Sequence, residues 1–248
     1  MTHWKPKLVF IAATILFVTV SSKADPESQP GRLSPQDVLT RMQAAYAVLL
    51  SYSDEVKAEG SQTYSDGKVV TSHGTATVKL SRPILYRIEW RLKYALPSKP
   101  DEDKTVAFWS QGNGAYITAG KGITSREKDR RPFPFVEGDM TYVPSAFYGE
   151  VNPNSPLSRD CCSGEKYVFG ADEKVEDVEC YVLLSVPIPL EKGQMRRQEI
   201  STLWIGKSDY LLRQIRIVGP TGSSTLTRSN IVINAPMSRE EFGSSGPT

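Results

Sequence analysis

The chain has 248 residues, with 30 Lys and Arg against 28 Asp and Glu, a formal charge of +2, and a hydrophobic content of 39%. So even a balance gives no basic surface for a nucleic-acid partner. The length is enough to bury one full core, and a single domain is expected rather than two.

Taken in order, the chain opens with Lys5 and Lys7 and then an apolar run from Leu8 to Val20, closed by Ser22-Lys23-Ala24 with small residues at the two positions a signal peptidase reads. The run is shorter than the roughly 20 apolar residues that cross a bilayer. Residues 1–24 are therefore expected to be a cleavable signal peptide, and the protein to be exported, soluble and periplasmic. No cysteine follows the cleavage point, which disfavours a lipid anchor. Without that segment, 27 basic residues face 28 acidic ones, a formal charge of −1.

Residues 25–33 are polar and proline-bearing, a flexible lead-in. Ser34 then reads as an N-cap with Pro35 at the first helical position. Val38, Leu39, Met42, Ala45, Tyr46 and Leu49 form one apolar stripe on a helix of about four turns. From Tyr52 the period changes to two. Asp66-Gly67 marks a hairpin whose second arm runs through Thr75 to Leu80. After Arg82-Pro83, Ile84 to Leu92 alternates: Ile84, Tyr86, Ile88, Trp90 and Leu92 share an apolar face, and Leu85, Arg87, Glu89 and Arg91 share a wetter one.

Lys104–Ser110 and Gly114–Thr118 form a further expected hairpin around Gly112-Asn113-Gly114. That Gly-x-Gly is a turn, because it lacks the glycine triad and following helix of a nucleotide fingerprint. Residues 119–160 lose periodicity and read as an excursion with one or two short helices. Strands return at Lys166–Ala171, Glu179–Val186, Glu199–Ile205, Leu211–Val218 and Ser223–Ile233, before a Gly/Ser-rich flexible tail at 238–248. The pattern predicts an α+β domain over residues 34–237. Its strongly curved antiparallel sheet forms an incomplete β-barrel, covered by the N-terminal helix and short lid helices.

Few residues suggest chemistry. His73 lies in the polar segment TSHGT, and no G-x-S-x-G elbow accompanies it. The carboxylates Asp101-Glu102-Asp103 and Asp172-Glu173 cluster where solvation accounts for them, so no enzyme is expected. His73 is the only histidine after residue 24 and no C-x-x-C occurs, so neither a metal nor another cofactor is expected. Export would place Cys161, Cys162 and Cys180 in an oxidising compartment. Adjacent cysteines rarely pair, so Cys180 is expected to bridge to Cys161 or Cys162, with one thiol left over. The apolar face of Tyr86, Ile88 and Trp90, with Phe108 or Trp109 near it, suits either an ordinary core or a ligand-lined hollow. Arg82, at a strand end before a proline, is either a surface arginine or a fork of donors for loop carbonyls.

The segments LLSYSDEV, VKLSRPILYRIEW, AFWSQGNGAYI, STLWIGKSDYLLRQIRI and NIVINAP resemble those of the periplasmic lipoprotein carriers LolA and LolB and the looser group of exported LolA-like domains. The 119–160 segment, charged and proline-rich, departs from the family pattern where lid helices should lie, and the cysteines with their EKVEDVECYVL strand resemble the looser group more than the true carriers. The resemblance implies a helix-lidded half-barrel that binds lipid or lipoprotein acyl chains without catalysis. Arg82 would latch the lid, and Tyr86, Ile88, Trp90 and Phe108 would line the hollow. A monomer is expected. Because the same fold serves as a periplasmic stress sensor, the alternative is a regulatory or scaffold domain with a membrane-protein partner.

Overall fold

A computed structural model of the chain describes residues 33–95, 102–112, 114–119, 123–127, 142–148, 166–186 and 199–243. The first helix, α1 (Pro35–Ala47), starts where Ser34 and Asp37 cap each other. The Ser34 Oγ accepts from the Asp37 amide at 3.1 Å, and the Asp37 carboxylate accepts from the Ser34 amide at 2.8 Å. Val38, Leu39, Met42 and Tyr46 of its apolar stripe are buried, as is Leu49 just beyond its end.

Six strands follow: β1 (Ser51–Thr63), β2 (Val69–Ser81), β3 (Leu85–Ala95), β4 (Glu102–Gln111), β5 (Ala115–Ala119) and β6 (Ile123–Glu127). The β1–β2 hairpin turns at Asp66-Gly67, where Gly67 takes a φ of +78° that a side chain would disfavour. A short helix, α2 (Tyr142–Tyr148), precedes a second set of strands: β7 (Lys166–Phe169), β8 (Glu173–Val175), β9 (Val178–Val186), β10 (Ile200–Gly206), β11 (Leu212–Gly219) and β12 (Gly222–Ile233).

All strands join one antiparallel sheet in the order β6-β5-β4-β3-β2-β1-β12-β11-β10-β9-β7, with β8 paired to β9. Among the described residues β6 and β7 do not pair, so the sheet is open and does not close into a barrel. One face carries the core: α1 and α2 lay Met42, Tyr46, Val143 and Phe147 against Tyr52, Val56, Leu80, Ile88, Leu203 and Ile215. Cross-strand pairs such as Val56 with Ala76, and Ala76 with Trp90, give the inward row. Within 119–160, where one or two short helices were expected, α2 is the helix among the described residues.

Two further differences concern the other face of β3. Residues 238–243, expected to begin a flexible tail, form a 3-10 turn, Arg239–Phe242, that packs on β3 and β4 with Phe242 fully buried. Its cover buries Arg87, expected on the wet face, which donates to the Gly243 carbonyl and pairs with Glu89. Lys79 anchors the same turn through Glu241 at 2.7 Å. β6 and β8 were not foreseen. β6 falls in the segment without periodicity, and β8 has only three residues to show a pattern.

Candidate ligand-binding site

Arg82 lies between β2 and β3, and its guanidinium reaches both helices. Its Nε donates to the Leu49 carbonyl at 2.9 Å, and its Nη2 donates to the carbonyls of Ala47, at 2.8 Å, and Phe147. The guanidinium carbon sits 4.8 Å from the centre of the Phe147 ring. A helix leaves its last carbonyls without internal donors, and a cation at that end also complements the helix dipole. One half-buried side chain therefore meets the needs of the α1 terminus while holding α2 beside it. Tyr148 adds a second tie, donating to the Leu85 carbonyl at 2.6 Å.

The sequence-derived lining residues divide into two groups. Tyr86 and Ile88 are buried in the core beneath the helices, while Trp90 and Phe108 pack at its margin and remain partly exposed. Beyond them the inward face is cut back to small residues. Ala58 pairs with Gly74, and Gly60 with Ser72, while Leu226 and Ser224 flank them on β12. At the far end Gly60, Val70, Ser72, Ile217, Ser224 and their neighbours line an open cavity of about 320 Å³.

The inward face also carries a charged pair that the sequence reading did not single out. Asp54 and Arg228 are both fully buried, with Arg228 Nη1 donating to Asp54 Oδ2 at 2.5 Å. Tyr52 donates to the same oxygen at 2.6 Å. A bulge puts Arg228 there: pairing steps from Ser53 with Val232 to Glu55 with Ser229, beside Asn230 at φ 51°, and so shifts the alternation of β12 by one. Asp54 Oδ1, Arg228 Nε and Arg228 Nη2 are buried without a hydrogen-bond partner. The only sequence signal was an acid in Tyr52-x-Asp54-x-Val56 and a base in Leu226-x-Arg228, each interrupting an apolar alternation.

Two phenols border this pair. The Tyr46 and Tyr52 rings meet edge to face at 5.5 Å, and the Tyr46 hydroxyl accepts from the Leu212 amide at 3.2 Å. Burial pushes the Tyr46 phenol up to about 12, against the attraction of Arg228. Burial, then the neighbouring Tyr46 and Asp54, hold Tyr52 well above its ordinary value. Burial opposes charge on Arg228, but Asp54 and the two phenols outweigh it and hold the guanidinium protonated.

Cys180 is buried and carries a free thiol in the structure. Alternation along β9 turns its side chain away from Leu183 and the main core, into a small cluster with Val175, Val182 and Trp204. Burial raises the thiol above its ordinary value. The two candidate partners, Cys161 and Cys162, lie outside the described residues.

No family model matches the chain, and no curated protein does. Solved structures similar to it include the lipoprotein LppX of Mycobacterium tuberculosis, at 18% identity and a TM-score of 0.44 over 83% of this chain and 99% of that one. LprF from Mycobacterium bovis matches at 16% identity and 0.44, covering 82% and 94%. A LolA superfamily protein from Nitrosomonas europaea matches at 10% and 0.32, covering 86% and 99%. At these scores the likeness is one of outline, and the arrangement of Arg82 and the buried pair rests on this chain's own residues. Among the described residues no helix is long and apolar enough to cross a membrane.

Proposed function

We propose that this is an exported protein that binds a hydrophobic ligand, an acyl chain of a lipid or lipoprotein, on the inward face of its open sheet, without catalysing a reaction. The observation that carries the reading is Arg82. A single guanidinium fastens the end of α1 and the end of α2 over an apolar face. Loosening those three bonds removes a tie shared by both helices, and movement of the helices, with release of the Tyr148 bond, would uncover Tyr86, Ile88 and the rest of the inward row. Burying an acyl chain there yields about 0.8 kcal/mol per CH₂, which offsets the packing the helices give up.

The test is native mass spectrometry of the chain purified from its export compartment, with extraction of whatever co-purifies. A stoichiometric acyl-bearing species whose occupancy changes in Arg82→Leu supports the reading. A clean apo mass, with no uptake of added dodecanoyl probes by either protein, removes it.

A further inference from the structure

The buried pair in the inward face is incompletely satisfied, and the missing partners have a definite chemistry. Arg228 spends its Nη1 on Asp54 and leaves Nε and Nη2 free. Those two atoms form the side edge of the guanidinium, where donors lie parallel and suit one planar carbonyl or carboxyl group. Asp54 Oδ1 is an unused acceptor in the same pair. Together the three atoms ask for a group that accepts at one end and donates at the other. Buried polar atoms are rarely left without partners, and a buried ion pair is favourable only when its remaining positions are filled.

Charge narrows the class further. The guanidinium and carboxylate already balance, so an anionic head would leave a net charge in the apolar interior at high cost. An uncharged head with one carbonyl and one N–H or O–H fits without that cost. The open cavity lies farther along the same face of β1 and β12 as the pair. From Arg228 along β12 to Gly222 at the open cavity is six positions, or ~20 Å at ~3.3 Å per residue. Between them Ala58, Gly60, Gly74 and Ser72 are small, but Leu92 fills the space over Gly74 and Leu226 stands beside Ala58, so a tail reaches the pair only if these side chains move. In the latched state Tyr46 of α1 borders the pair, so access depends on release of the helix.

We propose that Asp54 and Arg228 form the polar end of the acyl site and recognise an uncharged acyl head, an amide or a protonated carboxyl. Its carbonyl accepts from Arg228 Nε and Nη2 while its N–H or O–H donates to Asp54 Oδ1. This rests on the acyl-binding reading above. The experiment compares binding of dodecanamide, N-dodecanoylglycinamide and methyl dodecanoate, the last having a carbonyl but no donor. Dodecanamide is expected to bind the wild-type chain about 10- to 100-fold tighter than the ester, because the ester leaves Asp54 Oδ1 unpaired. A preference shared by N-dodecanoylglycinamide assigns the head to an acylated peptide, and one confined to dodecanamide to a free fatty amide; either supports the site.

The paired variant Asp54→Leu with Arg228→Met removes both charges together, a replacement that buried ion pairs tolerate. In it the amide-to-ester ratio is expected to fall to about one. A second readout needs no variant: the Arg228 Nε–H resonance should shift on adding dodecanamide to the wild-type protein. Equal binding of amide and ester, or an unmoved Nε–H resonance at saturating dodecanamide, overturns the proposal while leaving acyl binding intact. Failure of every probe to bind removes acyl binding itself, and the head site with it.

Discussion

Replacing Arg82 by Leu keeps an apolar stem of similar reach and deletes every donor of the latch. Two of its bonds, to the Leu49 and Phe147 carbonyls, are partly buried, and the third, to Ala47, is exposed. Hydrogen bonds from a charged donor contribute about 1.5–3 kcal/mol each. Taking the low end for the two partly buried bonds, nothing for the exposed one, and about 0.5 kcal/mol for the Phe147 ring gives about 3.5 kcal/mol. That energy holds the helices to the sheet rather than the sheet together, so it should appear as local opening. At 1.4 kcal/mol per tenfold, the open population rises roughly 300-fold. Native-state hydrogen exchange reads it directly: α1 and α2 amides should lose about two and a half decades of protection, while the paired β1–β2 amides keep theirs. Unchanged exchange in α1, or an equal loss in every element, would refute the idea that Arg82 is a local latch.

The remaining predictions concern the core and its edges. The Tyr46 and Tyr52 phenols are raised by burial, so the fold favours their protonated forms; stability is complete below pH ~10 and is lost as pH rises through the folded values, about 12 for Tyr46. Tyr46 alone accounts for about 3 kcal/mol of that loss, and Tyr46→Phe should flatten the alkaline limb of a urea-unfolding series measured against pH. Phe242→Ala should cost about 3 kcal/mol in the same assay, as for other buried aromatic truncations; a change below 0.5 kcal/mol would mean that the C-terminal turn is not docked. Cys180 should resist alkylation until the chain unfolds, and a disulfide-linked Cys180 peptide in a non-reducing digest would contradict the free thiol.

Much of the fold was legible because local chemistry and tertiary packing agree. The Ser34-Pro35 start, the stripe through Leu49, the Asp66-Gly67 turn and the alternation through Trp90 each appear where the residues place them. Legibility failed where a distant segment decides the environment. Arg87 reads as solvated until Phe242 and Gly243 arrive from the far end of the chain. Tyr86 and Ile88 were assigned to the right face, but alternation does not distinguish a residue packed under a helix from one lining a hollow. Asp54 and Arg228 escaped for a related reason. Asp54 stands among Glu55, Lys57 and Glu59 on β1 while Arg228 is the one charge of β12, and the bulge at Asn230 beside it has no period-two signature.

The seam between β1 and β12 has a consequence for how the chain folds. On either side of it, neighbouring strands follow one another closely in sequence, so each half of the sheet can assemble from short-range hairpins. The seam itself joins partners as far apart as Asp54 and Arg228, 174 positions. Closing so large a loop is the slow, entropy-limited step. Until β12 docks, the two half-sheets share no common core and each presents an unpaired edge. Docking of β12 onto β1 is therefore the step that commits the chain, and a polypeptide lacking β12 would be left with two aggregation-prone halves.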